Sequence, residues 1–350
     1  MSTSPVRVLV VDDSAYIRKV ITQILQSAPG IEVVGTAWNG AEALQKVSEL
    51  KPDVITLDLY MPEMDGVEFL KAQMNLRSIP VVVCSVASEK EDLLIAAMEA
   101  GAIEFVQKPT ALATEKVYNI SEELVQKVIT ASSIPPERLP HLLEPQQTGI
   151  TTQLPAIKAK GLIDVVVIGA STGGPQALRT ILPQLPKDFS LPIAIVLHMP
   201  ESYTGPFAKR LNELCALEVL EAAEGLEMKP GRVILAKAGS HLKFFRDSDG
   251  RILSHMNRLT DDSLHRPSVD VLFKSAADIY GSHTLGIVLT GMGSDGTHGA
   301  AWIKAQGGMV VTESETTCVV YGMPRSVVEA GLSDKISPLG ELPKFILETI

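Results

Sequence analysis

Cysteine is scarce in this chain: among 350 residues there are three, Cys84, Cys215 and Cys318. They are widely spaced and form no CxxC pair, which excludes a disulfide framework and a cysteine-based zinc site. All three read as small buried apolar residues. Long hydrophobic runs are also missing. The composition is 45% hydrophobic, yet no stretch approaches the roughly 18 consecutive apolar residues that a membrane span requires. The opening "MSTSPVRVLVVDD" has neither a basic leader region nor a small-residue cleavage site, so a cytoplasmic protein without direct membrane insertion is expected. The second half lacks a Lys/Arg cluster, which excludes nucleic acid as a partner on electrostatic grounds. The formal charge of −10 is unevenly placed: residues 1–125 carry 10 Lys and Arg against 18 Asp and Glu, and residues 126–350 carry 21 against 23. The acidity belongs to the first half.

This length suggests about two domains of roughly 100 to 200 residues each. Over the first 130 residues, short apolar runs ("VRVLVVDD", "DVITLDL", "PVVVCSV") alternate with amphipathic stretches ("AYIRKVITQILQ", "AEALQKVSEL"). Strands apolar on both faces, interleaved with helices, predict a doubly wound parallel sheet. Asn39 with Glu42 predicts a capping box, and Gly101 a helix stop. From about Ala131 to Lys160, five prolines and no sustained period mark a linker. The alternation resumes at Asp164, which predicts a second α/β domain. Asp249-Gly250 between two alternating runs adds an antiparallel hairpin to it. The expected organisation is a first domain at 1–125, a Pro-rich linker at 126–160 and a second domain at 161–350.

Polar groups in the first half fall where strands end, and in a parallel sheet such ends converge on one crevice. Asp12 and Asp13 close the first strand, Asp58 the third, Ser85 follows the fourth and Lys108 the fifth. Three clustered carboxylates repel one another, and a hard divalent cation such as Mg²⁺ reconciles them. A cation held beside Asp58 would neutralise charge on an incoming phosphoryl group, with Lys108 and the Ser85 hydroxyl placed to contact its oxygens. Each residue alone would be an ordinary solvated loop group; five at strand ends are not. Through "VVDDS", "DLYMPEMDG" and "QKP" this half resembles the receiver domains of bacterial two-component response regulators. That resemblance implies a flavodoxin-like fold, phosphorylation of Asp58 by a histidine kinase with Mg²⁺ held by Asp12, Asp13 and Asp58, and a switch pair at Ser85 and Phe105.

In the second half the run "VVVIGASTGGP" invites a phosphate reading. A P-loop needs GxxxxGK[ST], and here proline and glutamine follow the glycines. The dinucleotide fingerprint GxGxxG lacks its middle glycine, and GxSxG is absent. Ser171 nevertheless sits where a strand turns into a helix beginning near Pro175, as a nucleophile would. A base and an acid must accompany it. His198 ends the next strand, "IAIVLHMP", and Asp295 lies in "LTGMGSDG" just past another. Other readings stay open at this point: a structural histidine, Asp295 as cap of the helix starting at "DGTHGAAW", or a metal-dependent hydrolase with Asp295, His298 and His198 as ligands. His241, His255, His265 and His283 read as surface or structural residues.

The runs "GASTGGP", "HMP", "RPSVDVLF" and "LTGMGSDG" resemble the catalytic domain of chemotaxis protein-glutamate methylesterases, whose regulatory half is a receiver. The resemblance covers roughly residues 5–125 and 161–348. It implies a Rossmann-like α/β domain with Ser171 as nucleophile, His198 as base, Asp295 as orienting acid, and no cofactor in the esterase site. The implied substrate is a glutamyl methyl ester on a chemoreceptor helix, with receptor glutamine amides as a second substrate. Backbone N–H groups near Thr172 and Met292 are the expected oxyanion donors, and Gly173 and Gly174 are expected to leave room for the ester. The unphosphorylated receiver is expected to cover the crevice and phosphorylation of Asp58 to open it. A binding module with a dead site is the further alternative.

Overall fold

The computed structural model describes residues 4–85, 91–108, 114–139, 163–258 and 265–350, leaving aside the side chains of 91 and 114–120. The chain divides into two compact units, Met1–Gln147 and Thr148–Ile350.

The first unit alternates β1 (Val6–Val11), α1 (Ala15–Ser27), β2 (Ile31–Ala37), α2 (Gly40–Leu50), β3 (Val54–Leu57), α3 (Gly66–Leu76), β4 (Val81–Ser85), α4 (Glu91–Glu99), β5 (Glu104–Gln107) and α5 (Thr114–Ser132). The strands pair in parallel in the order β2-β1-β3-β4-β5, which is the flavodoxin-like winding. β3 and β4 are buried at every position, as strands covered by helices on both faces must be. The winding reverses between β1 and β3, so their carboxyl ends open a crevice there.

Local signals act mostly as read. Gly101 follows α4 at φ +105, a left-handed stop that costs glycine nothing. Asn39 Oδ1 accepts from Glu42 N at 2.8 Å, but Glu42 reaches back to Trp38 N rather than to the cap's own N–H, while its other oxygen pairs with Lys46. Half of the capping box forms. A larger difference concerns the boundary expected at 125, which falls inside α5. That helix continues to Ser132 with Leu124, Val128 and Ala131 buried, because the i, i+4, i+7 apolar spacing persists past 125. Residues 126–132 are therefore helix, and 140–160 of the expected linker lie outside the described residues.

The second unit contains β6 (Val165–Ala170), α6 (Gly174–Ile181), β7 (Ile193–Leu197), α7 (Thr204–Leu214), β8 (Glu218–Glu221), β9 (Arg232–Leu235), β10 (His241–Arg246), β11 (Ile252–Asn257), α8 (Val269–Tyr280), β12 (Thr284–Val288), α9 (Thr297–Ala305), β13 (Met309–Glu313), α10 (Met323–Glu329), β14 (Lys335–Ser337) and α11 (Leu342–Thr349). Seven strands make a parallel sheet in the order β14-β13-β12-β6-β7-β9-β8. The chain runs from β6 to β7 and the edge strand β8, turns back to place β9 between them, then crosses to β12 beside β6 and runs outward to β14. The switch point lies between β6 and β12, where such sheets bind ligands.

The hairpin is β10–β11, antiparallel as expected. Asp247 Oδ1 accepts from the backbone of Asp249 and Arg251, and Gly250 takes φ +84. Val165, Val167, Ala194, Val196 and Ile234 of the sheet pack with Leu272, Phe273 and Ala276 of α8 in one core. Cys84 and Cys318 are buried and Cys215 is half-buried. Burial pushes the Cys84 thiol up to about 12 and Cys215 to about 11, so neither is a thiolate at neutral pH. Among the described residues no helix is long and apolar enough to cross a membrane.

Candidate functional site

Two constellations stand at the two switch points. In the first unit, Asp12 and Asp13 follow β1, Asp58 follows β3 and Lys108 follows β5. The carboxylate oxygens of Asp12, Asp13 and Asp58 lie within 4.8 Å of one another, an all-oxygen donor set that fits a hard divalent cation. Asp12 and Asp58 are buried and Asp13 is exposed. Lys108 Nζ pairs with Asp12 Oδ2, and with Asp58 Oδ2 at 2.8 Å. Burial raises both carboxyls above the usual range and the ammonium opposes that shift. Burial alone would lower Lys108, but the charges of Asp58 and Asp12 hold it up. Asp58 Oδ1 accepts from Leu59 N at 2.8 Å, leaving Oδ2 on the lysine side. Ser85 and Phe105 are buried on adjacent strands, and Lys108 N bonds Ser85 O, so the lysine and the serine share one end of the sheet.

In the second unit, β6 and β7 pair Ala170 with Leu197, so the residues that follow, Ser171 and His198, are neighbours across the strand ends. The backbone confirms that neighbourhood: His198 N donates to Ala170 O at 3.1 Å. His198 Nε2 bonds Asp295 Oδ2 at 2.8 Å. Its Nδ1 is buried and has no hydrogen-bond partner among the described residues. The structure therefore joins His198 to Asp295, and it sets Ser171 at the strand end next to that of His198, without a hydrogen bond to either side chain.

Asp295 does not cap the helix that follows it. Its carboxylate accepts from Val269 N (2.8 Å), Asp270 N (2.9 Å) and Ser268 Oγ (2.9 Å), all at the start of α8. In return Asp270 Oδ1 accepts from Gly296 N (2.9 Å) and Gly299 N (2.7 Å) at the start of α9. The two helices thus exchange caps, each carboxylate sitting at a positive helix end. Burial alone would raise Asp295, but the His198 hydrogen bond and charge and the α8 N–H groups hold it down at about 2. It is ionised at neutral pH and can only accept, which fixes the proton of neutral His198 on Nε2 and its lone pair on Nδ1.

Both glycines after Thr172 answer to the protein's own packing, not to substrate room. Gly173 takes φ +80, and a Cβ there would meet Val319 and Thr290; a Cβ on Gly174 would meet Leu197 and Ala170. Close approach occurs instead at Gly291, where a Cβ would stand 2.8 Å from that of Ser171. Thr172 is buried and Met292, next to Gly291, is 37% exposed. His298 falls outside any cluster of ligand atoms, since among the described residues the receiver carboxylates alone form one.

Sequence reasoning missed three features. Ser268, preceding the apolar run of α8, carried the usual N-cap signal. The His265 ring stacks on His198 with centroids 4.1 Å apart, and the Glu313 carboxylate bonds the Thr290 backbone. No local pattern announces the last two, because both depend on chain segments that meet only in the fold.

A phosphoacceptor-type receiver followed by a parallel α/β unit with a His–Asp pair at its switch point defines a response regulator with an attached hydrolase-like domain. The chain matches the response regulator receiver domain over residues 8–116 and the CheB methylesterase over residues 166–346. It is 53% identical over 341 residues to protein-glutamate methylesterase/protein-glutamine glutaminase 5 of Myxococcus xanthus, covering 96% of this chain and 95% of that one. It is 40% identical to the corresponding protein of Thermotoga maritima, over the full length of both. The Thermotoga maritima CheB methylesterase catalytic domain superposes with a TM-score of 0.52 at 42% identity, covering 54% of this chain and 99% of that one. This chain belongs to the CheB methylesterase family.

Proposed function

We propose that the chain is a phosphorylation-activated protein-glutamate methylesterase that also deamidates glutamine, acting on the cytoplasmic helices of chemoreceptors. The observation that carries the chemistry is the His198 Nε2–Asp295 Oδ2 bond, with Nδ1 unpartnered among the described residues and the β7 end that carries His198 paired to the β6 end that carries Ser171. Ser171 Oγ attacks the γ-ester carbonyl carbon and gives its proton to His198 Nδ1. The tetrahedral oxyanion takes hydrogen bonds from the backbone N–H groups of Thr172 and Met292, one such donor being worth roughly 2.7 to 4 kcal/mol of transition-state stabilisation. The imidazolium, steadied by ionised Asp295, returns the proton to the departing methoxide, and methanol leaves. Water, deprotonated by the same nitrogen, then releases free glutamate from the acyl-serine. An amide passes through the same intermediate, with ammonia as leaving group. A methanol-release assay on methylated receptor, run with wild type and Ser171→Ala, tests the reading: retained release in the variant would falsify it.

In the receiver, Asp12, Asp13 and Asp58 would hold Mg²⁺, which neutralises phosphoryl charge when bound. Asp58 Oδ2 is the accepting atom, Lys108 lies beside it to pair with a phosphoryl oxygen, and the Ser85 hydroxyl takes another. The phosphoryl donor is a histidine kinase, and phosphorylation of the receiver activates the esterase. Acetyl phosphate with Mg²⁺ should therefore raise methanol release by about tenfold or more, and Asp58→Asn should abolish both the rise and the incorporated phosphoryl group. A rise that persisted in Asp58→Asn would remove Asp58 from the role.

A further inference from the structure

The mechanism leaves one buried carboxylate without a task. Glu313, the last residue of β13, is 0% exposed, and among the described residues it has no cationic partner. Oε2 accepts from Thr290 N at 2.9 Å and Oε1 from Thr317 Oγ1 at 3.0 Å, and the Cys318 thiol is a further donor to the carboxylate. A carboxylate in such a place costs free energy that an apolar side chain would not, so what it returns is placement. Thr290 shows where that placement goes. Its carbonyl accepts from Ser171 N at 3.0 Å. Its hydroxyl donates to Thr172 O at 2.8 Å and accepts from Val320 N at 3.0 Å. The next residue, Gly291, packs against Ser171 and gives its carbonyl to the N–H groups of Gly322 and Met323 at the start of α10. One residue thus touches the serine turn twice and begins the turn that carries Met292.

Building on the serine reading, we propose that Glu313 is a positioning residue of this reaction: it holds Thr290 in register and through it sets the Ser171 turn and the Thr172 and Met292 N–H groups. It does not touch substrate. Its task is to accept, and a glutamine can do the same: Oε1 takes the Thr290 N–H while the amide nitrogen donates to Thr317 Oγ1. An alanine cannot, and it leaves the buried Thr290 N–H unmet. Because Thr290 spans both turns, a shift there displaces nucleophile and oxyanion donors together, and misplacement on the ångström scale costs about a hundredfold in rate.

Kinetics of methanol release and amide hydrogen exchange in the full-length protein test this together. Glu313→Ala should lower kcat about a hundredfold with KM within about threefold of wild type, and Glu313→Gln should recover kcat to within about threefold. Exchange at the Ser171 and Thr290 amides should quicken by about tenfold or more in Glu313→Ala and stay near wild type in Glu313→Gln. Equal losses in both variants, or wild-type kcat in both, would overturn the proposal. If Glu313→Ala does not fold, Thr290→Val, which removes the hydroxyl but keeps the backbone N–H, should show the kcat loss, and Thr290→Ser should reverse it; wild-type kcat in Thr290→Val would equally overturn it. Activity surviving in Ser171→Ala would sink the serine reading instead, while the exchange result still reports on Glu313.

Discussion

Ser171→Ala should release methanol from methylated receptor at 10⁻⁴ to 10⁻⁶ of the wild-type rate, on the order seen when a serine hydrolase loses its nucleophile. The loss should fall on kcat, because a hydroxyl contributes little to holding a receptor helix. The fold should not suffer: among the described residues the Ser171 side chain makes no hydrogen bond, and its structural bonds are backbone ones, N to Thr290 O and O from Gly174 N. The melting temperature should therefore stay close to wild type, and phosphorylation of Asp58 should proceed normally. A dead esterase with an intact receiver locates the defect at one oxygen atom. Residual activity near wild type would instead require water to attack the ester directly, with His198 as base, and would make Ser171 an ordinary helix-start residue.

Much of this was legible beforehand because parallel sheets write their function at strand ends. Asp12 and Asp58 follow the buried ends of β1 and β3, which pair directly, and Lys108 follows β5 at the same edge of the sheet. The same holds for Ser171 and His198, whose strands pair one residue before each. Asp295 is different. Its position after β12 was readable, but its three donors on α8 come from a helix that the sequence places before β12, and only tertiary packing turns it away from the helix it precedes. Glu313 was illegible for the same reason, since a glutamate ending a strand looks solvated until the strand is known to lie inside the sheet. Gly173 and Gly174 were read for the wrong neighbour: a glycine-rich turn signals close approach, and the sequence does not say whether the approaching group is substrate or Val319 and Leu197.

The shared carboxylate at Asp295 makes Asp295→Asn the variant with two separable costs. Oδ2 accepts from His198 Nε2 and Val269 N, and Oδ1 from Ser268 Oγ and Asp270 N. An amide nitrogen cannot accept, so one side must yield. If the NH₂ faces His198, it donates to Nε2 and drives the histidine proton to Nδ1, the atom that should take the proton of Ser171. That tautomer is inactive, and kcat should fall about 10⁴-fold. The second cost is stability. With the folded carboxyl near 2 against an ordinary 3.8, its ionised form stabilises the fold by about 2 kcal/mol. The contribution is complete above about 3.8, the unfolded value, and disappears as pH falls through the folded one. Denaturant unfolding should thus find Asp295→Asn weaker than wild type by about that amount at pH 7, with the gap closing toward pH 2. A gap independent of pH would show that the charge at Asp295 is not what ties α8 to the site. A variant of normal stability with the full loss of kcat would place its whole effect on the orientation and tautomer of His198.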